Sequence, residues 1–137
     1  MLVHFPIVFW SCAFAADVVG QFTRTSLAAE VGFGTLALGC VSGLLAMIAG
    51  VFDLVDLPKD SPARDTAVMH LMAMCCAWLI FLVALALHGF PPTTPVSTVA
   101  LIASVAGFLT MAYGAWLGGK LVYEFGVGTR PKAGGRS

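Results

Sequence analysis

The chain has 137 residues, of which 59% are hydrophobic and 10% are charged, and seven basic residues balance seven acidic ones. A small soluble domain needs more polar surface than this to cover its core, a disordered chain needs high charge, and a nucleic-acid-binding protein needs a basic patch. These classes are excluded, and the composition predicts an integral membrane protein whose surroundings are the lipid bilayer.

Four apolar segments are each long enough to cross a bilayer, for which a helix needs about 20 mostly apolar residues. The sequence predicts an all-α fold, an integral membrane four-helix bundle, in a single transmembrane domain over residues 1–128. A short basic cytoplasmic tail over residues 129–137 follows it. The predicted spans are residues 4–22, 28–54, 62–88 and 95–123.

The connections between these spans carry most of the polar residues and the prolines. The second connection, residues 53–65, holds four acids and two bases, and its Ser61-Pro62 pair is typical of an N-cap followed by a first-turn proline. The third connection, residues 89–95, contains three prolines and cannot continue a helix. The sequence therefore predicts short connections and no soluble domain.

The basic residues are confined to one end of the predicted bundle. With four spans, both termini and the second connection share a side, and only Arg24 lies on the other side. Because Lys and Arg are enriched in cytoplasmic loops, we expect a multi-pass protein of the bacterial cytoplasmic (inner) membrane with both termini inside, N-in and C-in. The six basic residues on the predicted cytoplasmic side are Lys59, Arg64, Lys120, Arg130, Lys132 and Arg136.

The second and fourth predicted helices are rich in glycine and contain small-xxx-small pairs, Gly39 with Gly43 and Gly114 with Gly118. In lipid, small residues allow helices to approach closely and pack by van der Waals contact. These pairs indicate helix packing within the chain, in a homo-oligomer or against another membrane subunit. Some of the glycines could instead make room for a flat cofactor.

The three histidines lie near predicted helix ends, and a polar side chain inside a span is costly enough to be a candidate for function. His4 opens the first helix, and His70 lies about 12 Å along the third helix, so the two can face each other. His88 lies roughly 27 Å beyond His70, at the opposite surface. Since facing imidazoles hold haem iron in helix bundles, His4 and His70 are candidate ligands of haem b. The alternative for His70 is a polar residue bonded to a neighbouring carbonyl.

Sulfur-containing side chains surround His70 in the sequence and suggest copper as an alternative to haem iron. Soft sulfur ligands together with imidazole also suit Cu(I), so copper is the weaker cofactor hypothesis. Methionine also fills irregular gaps between helices and cysteine behaves as a small apolar residue, which makes plain packing the alternative. The residues concerned are Met69, Met72, Met74, Cys75 and Cys76.

Asp17, Gln21 and Arg24 are spaced i, i+4 and i+7 and are expected on one face of the first helix, at its outer side. We expect Arg24 to pair with Asp17 or with Glu30. Such a network is either structural or, together with His88, a proton or quinone site.

Asp53 lies where the second helix leaves the membrane, at the same end as His4 and His70. Carboxylates commonly accept the ring N–H of a ligating histidine and so fix its orientation. We expect Asp53 to be able to reach the ring of His4 or of His70.

Three segments of the chain resemble one known family. Residues 3–7 read VHFPI, His70 stands early in the third span, and residues 116–128 read WLGGKLVYEFGVG. Over nearly its whole length the chain is similar to a widespread family of small four-helix bacterial membrane proteins classed as a domain of unknown function. The resemblance implies that members of the family usually keep His4 and His70 but not His88. Some members are joined to Rieske iron–sulfur domains, so the resemblance also implies association with redox proteins.

The general layout also resembles that of b-type cytochrome bundles, which often hold two haems through four histidines, whereas this chain has three. In the closing motif, Gly118 and Gly119 allow close backbone approach, and Tyr123 offers a hydroxyl donor. Lys120 could meet a haem propionate as a point charge or extend to lipid phosphates.

These observations together predict a membrane protein that holds a b-type haem between His4 and His70. It would relay electrons as a subunit or anchor of a redox complex, and would not be an enzyme by itself. The alternative is a cofactor-free accessory subunit that binds a partner through its glycine-rich helix faces. Copper handling or transport is a third interpretation, and transport is disfavoured because no inverted repeat is evident.

Overall fold

The computed structural model describes residues 4–92 and 95–128, so the predicted tail lies outside the described residues. Its four helices are α1 (His4–Thr23), α2 (Ser26–Val55), α3 (Pro62–His88) and α4 (Thr98–Tyr123). Each helix is long and apolar enough to cross a membrane, and no strand occurs in the part of the chain that is described. The predicted all-α class with four helices long enough to span a membrane is therefore confirmed.

The helix starts follow local capping chemistry. Ser61 caps α3 as predicted, because its side chain accepts the Arg64 N–H at 3.3 Å and Pro62 occupies the first turn. The fourth helix begins later than the predicted residue 95. Ser97 is its N-cap and accepts the Ala100 N–H at 3.2 Å.

The helices pack in a ring, with α1 against α2 and α4, and α3 against α2 and α4. The chain runs up and down. One end of the bundle, here called the His4 end, gathers the starts of α1 and α3 and the ends of α2 and α4 around one cavity. At the other end, the His88 end, the last part of α1 meets the end of α3 and the early part of α4.

The predicted glycine pair of α2 is filled by a side chain of α1. The Trp10 indole is buried against Gly39 and Gly43, and a Cβ on Gly43 would lie 2.7 Å from Trp10 Cη2. A Cβ on Gly34 or on Gly50, by contrast, would have no atom of another element within 4 Å. Gly39 and Gly43 thus serve packing between α1 and α2 of the same chain.

A second glycine row lies on α4 and receives side chains from α3. A Cβ on Gly107 would lie 2.9 Å from the Phe81 ring, and one on Gly114 would lie 2.6 Å from Met74 Sδ. Gly107 and Gly114 are seven residues apart on α4, and their partners Phe81 and Met74 are seven residues apart on α3 in the opposite order, as antiparallel packing requires. The glycines therefore fix how far α3 and α4 are shifted along each other.

Aromatic contacts join the α1–α2 pair to the α3–α4 pair. The rings of Trp10 and Phe81 stack with centroids 4.6 Å apart, and the rings of Phe14 and Phe108 do so at the same distance. Trp78 Nε1 also donates to the Cys40 carbonyl at 2.8 Å. These contacts occupy the bundle interior between the His4 end and the His88 end.

The Arg64 side chain binds the main chain between α2 and α3. Its guanidinium donates to the carbonyls of Leu54 and Leu57, each at 3.0 Å. Leu54 lies in the last turn of α2 and its carbonyl also accepts a backbone N–H, while Leu57 follows the helix, so the Arg64 side chain joins the end of α2 to the connection after it. Arg64 thus has a structural contact in addition to its place among the basic residues at the His4 end.

Candidate functional site

A cavity of about 760 Å³ lies inside the His4 end and is bordered by all four helices. Its walls are mostly apolar, from Ile7 and Trp10 of α1 to Leu71 and Met74 of α3. Cofactor and ligand sites are typically about 300–1,000 Å³ and carry few polar groups on apolar walls, which describes this cavity. Six candidate residues from the sequence line it: His4, Asp53, His70, Gly118, Gly119 and Tyr123.

His70 is held in one orientation by the backbone of α4. Its Nδ1 lies 2.7 Å from the Gly114 carbonyl oxygen, and because a carbonyl only accepts, Nδ1 is the protonated nitrogen. In the neutral ring, Nε2 then keeps its lone pair. The ring can lie against α4 because Gly118 has no side chain, and a Cβ there would be 3.1 Å from His70 Cε1. Metal-ligating histidines are oriented in this way by an acceptor on the other ring nitrogen.

The Gly114 carbonyl also corrects one sequence prediction. Asp53 was expected to be able to reach the ring of His4 or of His70; the backbone of α4 accepts the Nδ1–H of His70 instead, and a contact of Asp53 with His4 stays a prediction. Asp53 is exposed and lines the cavity at the end of α2. His4, the first residue of α1, is likewise exposed and lines the same cavity.

Lys120 does not line the cavity. Its ammonium lies 3.6 Å from a Glu124 carboxylate oxygen and 5.2 Å from the centre of the Trp116 ring. The i, i+4 spacing of Lys120 and Glu124 explains the first contact. The structure therefore gives Lys120 neighbours on its own helix rather than a place beside the two histidines.

The sulfur-containing residues predicted around His70 are only partly brought together with it, because Met74 is buried and lines the cavity beside His70. Met69, Met72, Cys75 and Cys76 are exposed on the bundle surface. Within residues 4–92 and 95–128, no group of three or more His, Cys, Asp and Glu side chains is arranged to hold a metal ion. The sulfur atoms beside His70 in sequence are spread around α3, as successive residues of a helix must be.

Two residues that line the cavity were not among the candidates predicted from the sequence. Met47 and Trp10 line the wall together with Met74. The signal for Trp10 was the glycine pair on α2, whose missing side chains leave room for a large ring. No comparable signal marks Met47.

A buried polar network occupies the His88 end. Asp17 is 2% exposed, and its carboxylate contacts His88 Nε2 at 2.8 Å and accepts the Ser104 hydroxyl at 2.7 Å. Ser104 was not a sequence candidate, because a serine in an apolar helix usually bonds its own backbone. The serine contacts the carboxylate rather than the imidazole, so these residues do not have the arrangement that activates a nucleophilic serine.

The predicted pairing of Arg24 with Asp17 or Glu30 is wrong. The helix ends at Thr23, and Arg24 adopts a positive φ of 52°, so its exposed side chain leaves the face that carries Asp17. Gln21 remains on the helix, and its amide donates to the Val96 carbonyl at 3.0 Å. His88, not Arg24, is the partner of the buried acid.

Comparison with known proteins gives a family but no characterised relative. No curated protein and no solved structure matches the chain. One family model, described as "Predicted membrane protein (DUF2231)", matches residues 1–131. This agrees with the resemblance seen in the opening and closing motifs. The chain therefore belongs to the DUF2231 family of predicted membrane proteins.

Proposed function

We propose that the protein binds one b-type haem in the cavity at the His4 end, with His4 and His70 as axial ligands, and relays electrons as a subunit or anchor of a redox complex. The observation that carries the proposal is the orientation of His70. Its Nδ1 is tied to the Gly114 carbonyl at 2.7 Å, which leaves Nε2 as the ring atom with a free lone pair on a side chain that borders the cavity.

Residues on separate helices give the proposal further support. His4 comes from α1 and His70 from α3, and both border the same cavity of about 760 Å³. Gly118 leaves space for the ring of His70. The mostly apolar walls offer contact to the flat faces of a bound macrocycle. Haem in such a place supplies one-electron oxidation and reduction of its iron.

The charge of the cavity wall indicates how a haem would be held. Among the described residues that line it, Asp53 is the acid and no Lys or Arg occurs. A haem therefore has no basic partner for its propionates on these walls. Binding would depend on the two imidazoles and on apolar contact with the ring, so we expect loss of either histidine to have a large effect.

The visible spectrum of the purified protein tests this proposal. We expect a Soret band in the oxidised protein that shifts on reduction with dithionite. The band should be lost in His70→Ala and in His4→Ala, and kept in Met69→Leu, an exposed neighbour of His70 on the same helix. Both losses follow from removal of an iron ligand.

Two results would contradict the haem proposal. A colourless but well-folded protein from haem-replete cells would overturn the proposal. So would a band that survives in both histidine variants. Copper found by metal analysis in a haem-free preparation would favour the copper hypothesis. The cofactor-free accessory role has less support, because Gly39, Gly43, Gly107 and Gly114 already receive side chains of this chain.

We further propose that the protein lies in the bacterial inner membrane with the His4 end in the cytoplasm. The support is that six of the seven basic residues in the sequence fall on that side of the four spans. A reporter that fluoresces only in the cytoplasm should be active when fused after Ser137. The same reporter inserted after Phe90, in the α3–α4 connection, should be inactive. The reverse pattern would show the opposite orientation.

A further inference from the structure

Asp17 stands at a point where all four helices of the bundle meet. His88 contacts its Oδ1 from α3 at 2.8 Å, and Ser104 donates to its Oδ2 from α4 at 2.7 Å. From α2, Gly32 leaves the space that the carboxylate fills, and a Cβ there would lie 2.8 Å from Oδ1. Polar groups buried in an apolar span are costly and mark functional positions. The proposed haem site makes no use of this cluster.

The hydrogen bonds of His88 fix the number of protons in the cluster. His88 Nδ1 lies 2.7 Å from the Ala84 carbonyl oxygen, which only accepts, so Nδ1 carries a hydrogen. The contact of 2.8 Å between Nε2 and Asp17 Oδ1 then needs one further hydrogen between these two atoms. Whether that hydrogen is bonded to nitrogen or to oxygen, the pair has no net charge.

Within residues 4–92 and 95–128, no other ionisable group is seen to contact the pair and compensate a change in this proton count. The elements packed around the pair contribute Asp17 from α1, the side-chain-free Gly32 from α2, His88 from α3 and Ser104 from α4. The nearby charged residues Arg24 and Glu30 are exposed. Loss of the shared proton would leave a buried negative charge, and gain of a second would leave a positive one, both of which are costly in an apolar setting.

The pair is also close to water along the chain. His88 is the last residue of α3, and the exposed Gly89 follows it in the α3–α4 connection. We propose that Asp17 and His88 form a proton-binding site that takes up one proton from water and shares it between carboxylate and imidazole. On loading, an O–H bond of a hydronium ion breaks, an N–H or O–H bond of the pair forms, and water leaves. The Ser104 hydroxyl positions the carboxylate for this contact.

The test is nuclear magnetic resonance of the full chain in lipid nanodiscs, with ¹⁵N in the histidine rings and the His88 signals assigned from His88→Gln. We expect the shared hydrogen to be present from mildly acidic to mildly alkaline pH and to disappear when H₂O is replaced by D₂O. In Asp17→Asn, the Asn amide can donate to Nε2, so the Nε2 signal should move to the position of an unprotonated ring nitrogen. The bundle should stay folded, since every polar atom keeps a partner.

Two results would overturn the proposal. In the first, Nε2 is already unprotonated in the unaltered chain. In the second, the shared hydrogen does not exchange in D₂O, which would make it a sealed structural bond. The same signals are expected in His70→Ala, which removes a proposed haem ligand at the opposite end of the bundle. Failure of the haem proposal therefore leaves this outcome unaffected.

Discussion

Replacing His88 by alanine is expected to lower the free energy of unfolding by about 3–5 kcal/mol, because it leaves a buried acid without its partner. The Asp17 carboxylate is 2% exposed and would keep only the Ser104 hydroxyl, at 2.7 Å. Removing one member of a buried pair costs more than the pair itself contributes, since the remaining charge stays in an apolar surrounding. Unfolding of the protein in mixed micelles with increasing sodium dodecyl sulfate measures this change.

Asp17→Asn provides the matched comparison. The amide can donate to His88 Nε2 while its oxygen still accepts from Ser104, so we expect a loss of only about 1 kcal/mol. The double variant Asp17→Asn with His88→Ala should be more stable than His88→Ala alone, because it buries an unpaired amide instead of an unpaired carboxylate. Equal stability of those two variants would show that residue 17 carries no charge once His88 is removed.

Replacing Gly39 by valine is expected to cost about 1–3 kcal/mol or more, since overpacking forces neighbouring side chains from their places. A Cβ at this position would collide with the Trp10 indole, which is 1% exposed and stacked on Phe81. The indole cannot move away without disturbing the contact between the two helix pairs. The readout is again unfolding in dodecyl sulfate.

Gly34→Val on the same helix is the control for this substitution. Nothing lies within 4 Å of a Cβ at Gly34, so the added methyl groups meet open space while the change in helix propensity is the same. We expect its stability to stay close to that of the unaltered chain. A similar loss in both variants would indicate an effect on α2 itself rather than on the packing of Trp10.

The four helices were predictable from the sequence, because a membrane span needs an apolar segment of a given length. Which helix ends lie together at each end of the bundle was predictable as well. Once the spans alternate in direction, His4, Asp53, His70 and Tyr123 must fall at the same end, and the cavity indeed brings them together. Helix ends were predictable where local capping decides them, as at Ser61.

The rotation of each helix about its axis was much harder to predict. A helix that is apolar all round gives little indication of which face is buried, so Arg24 was expected to pair with Asp17 or with Glu30, and the contact of Asp17 with His88 was predicted only as an alternative. That error also depended on one residue, because α1 ends before Arg24. The contact of Lys120 with Glu124 could have been predicted from their i, i+4 spacing. Lys120 was instead interpreted as part of the closing motif, as a partner for a haem propionate or for lipid phosphates.

The acceptor that orients His70 belongs to the main chain of α4, at Gly114. Every amino acid has a carbonyl, so no substitution at residue 114 can delete this acceptor. A substitution can only displace it, by pushing Met74 or the helix itself away. The backbone path of α4 thus determines which ring nitrogen of His70 carries the hydrogen, and in this chain the arrangement depends on small residues at positions 114 and 118.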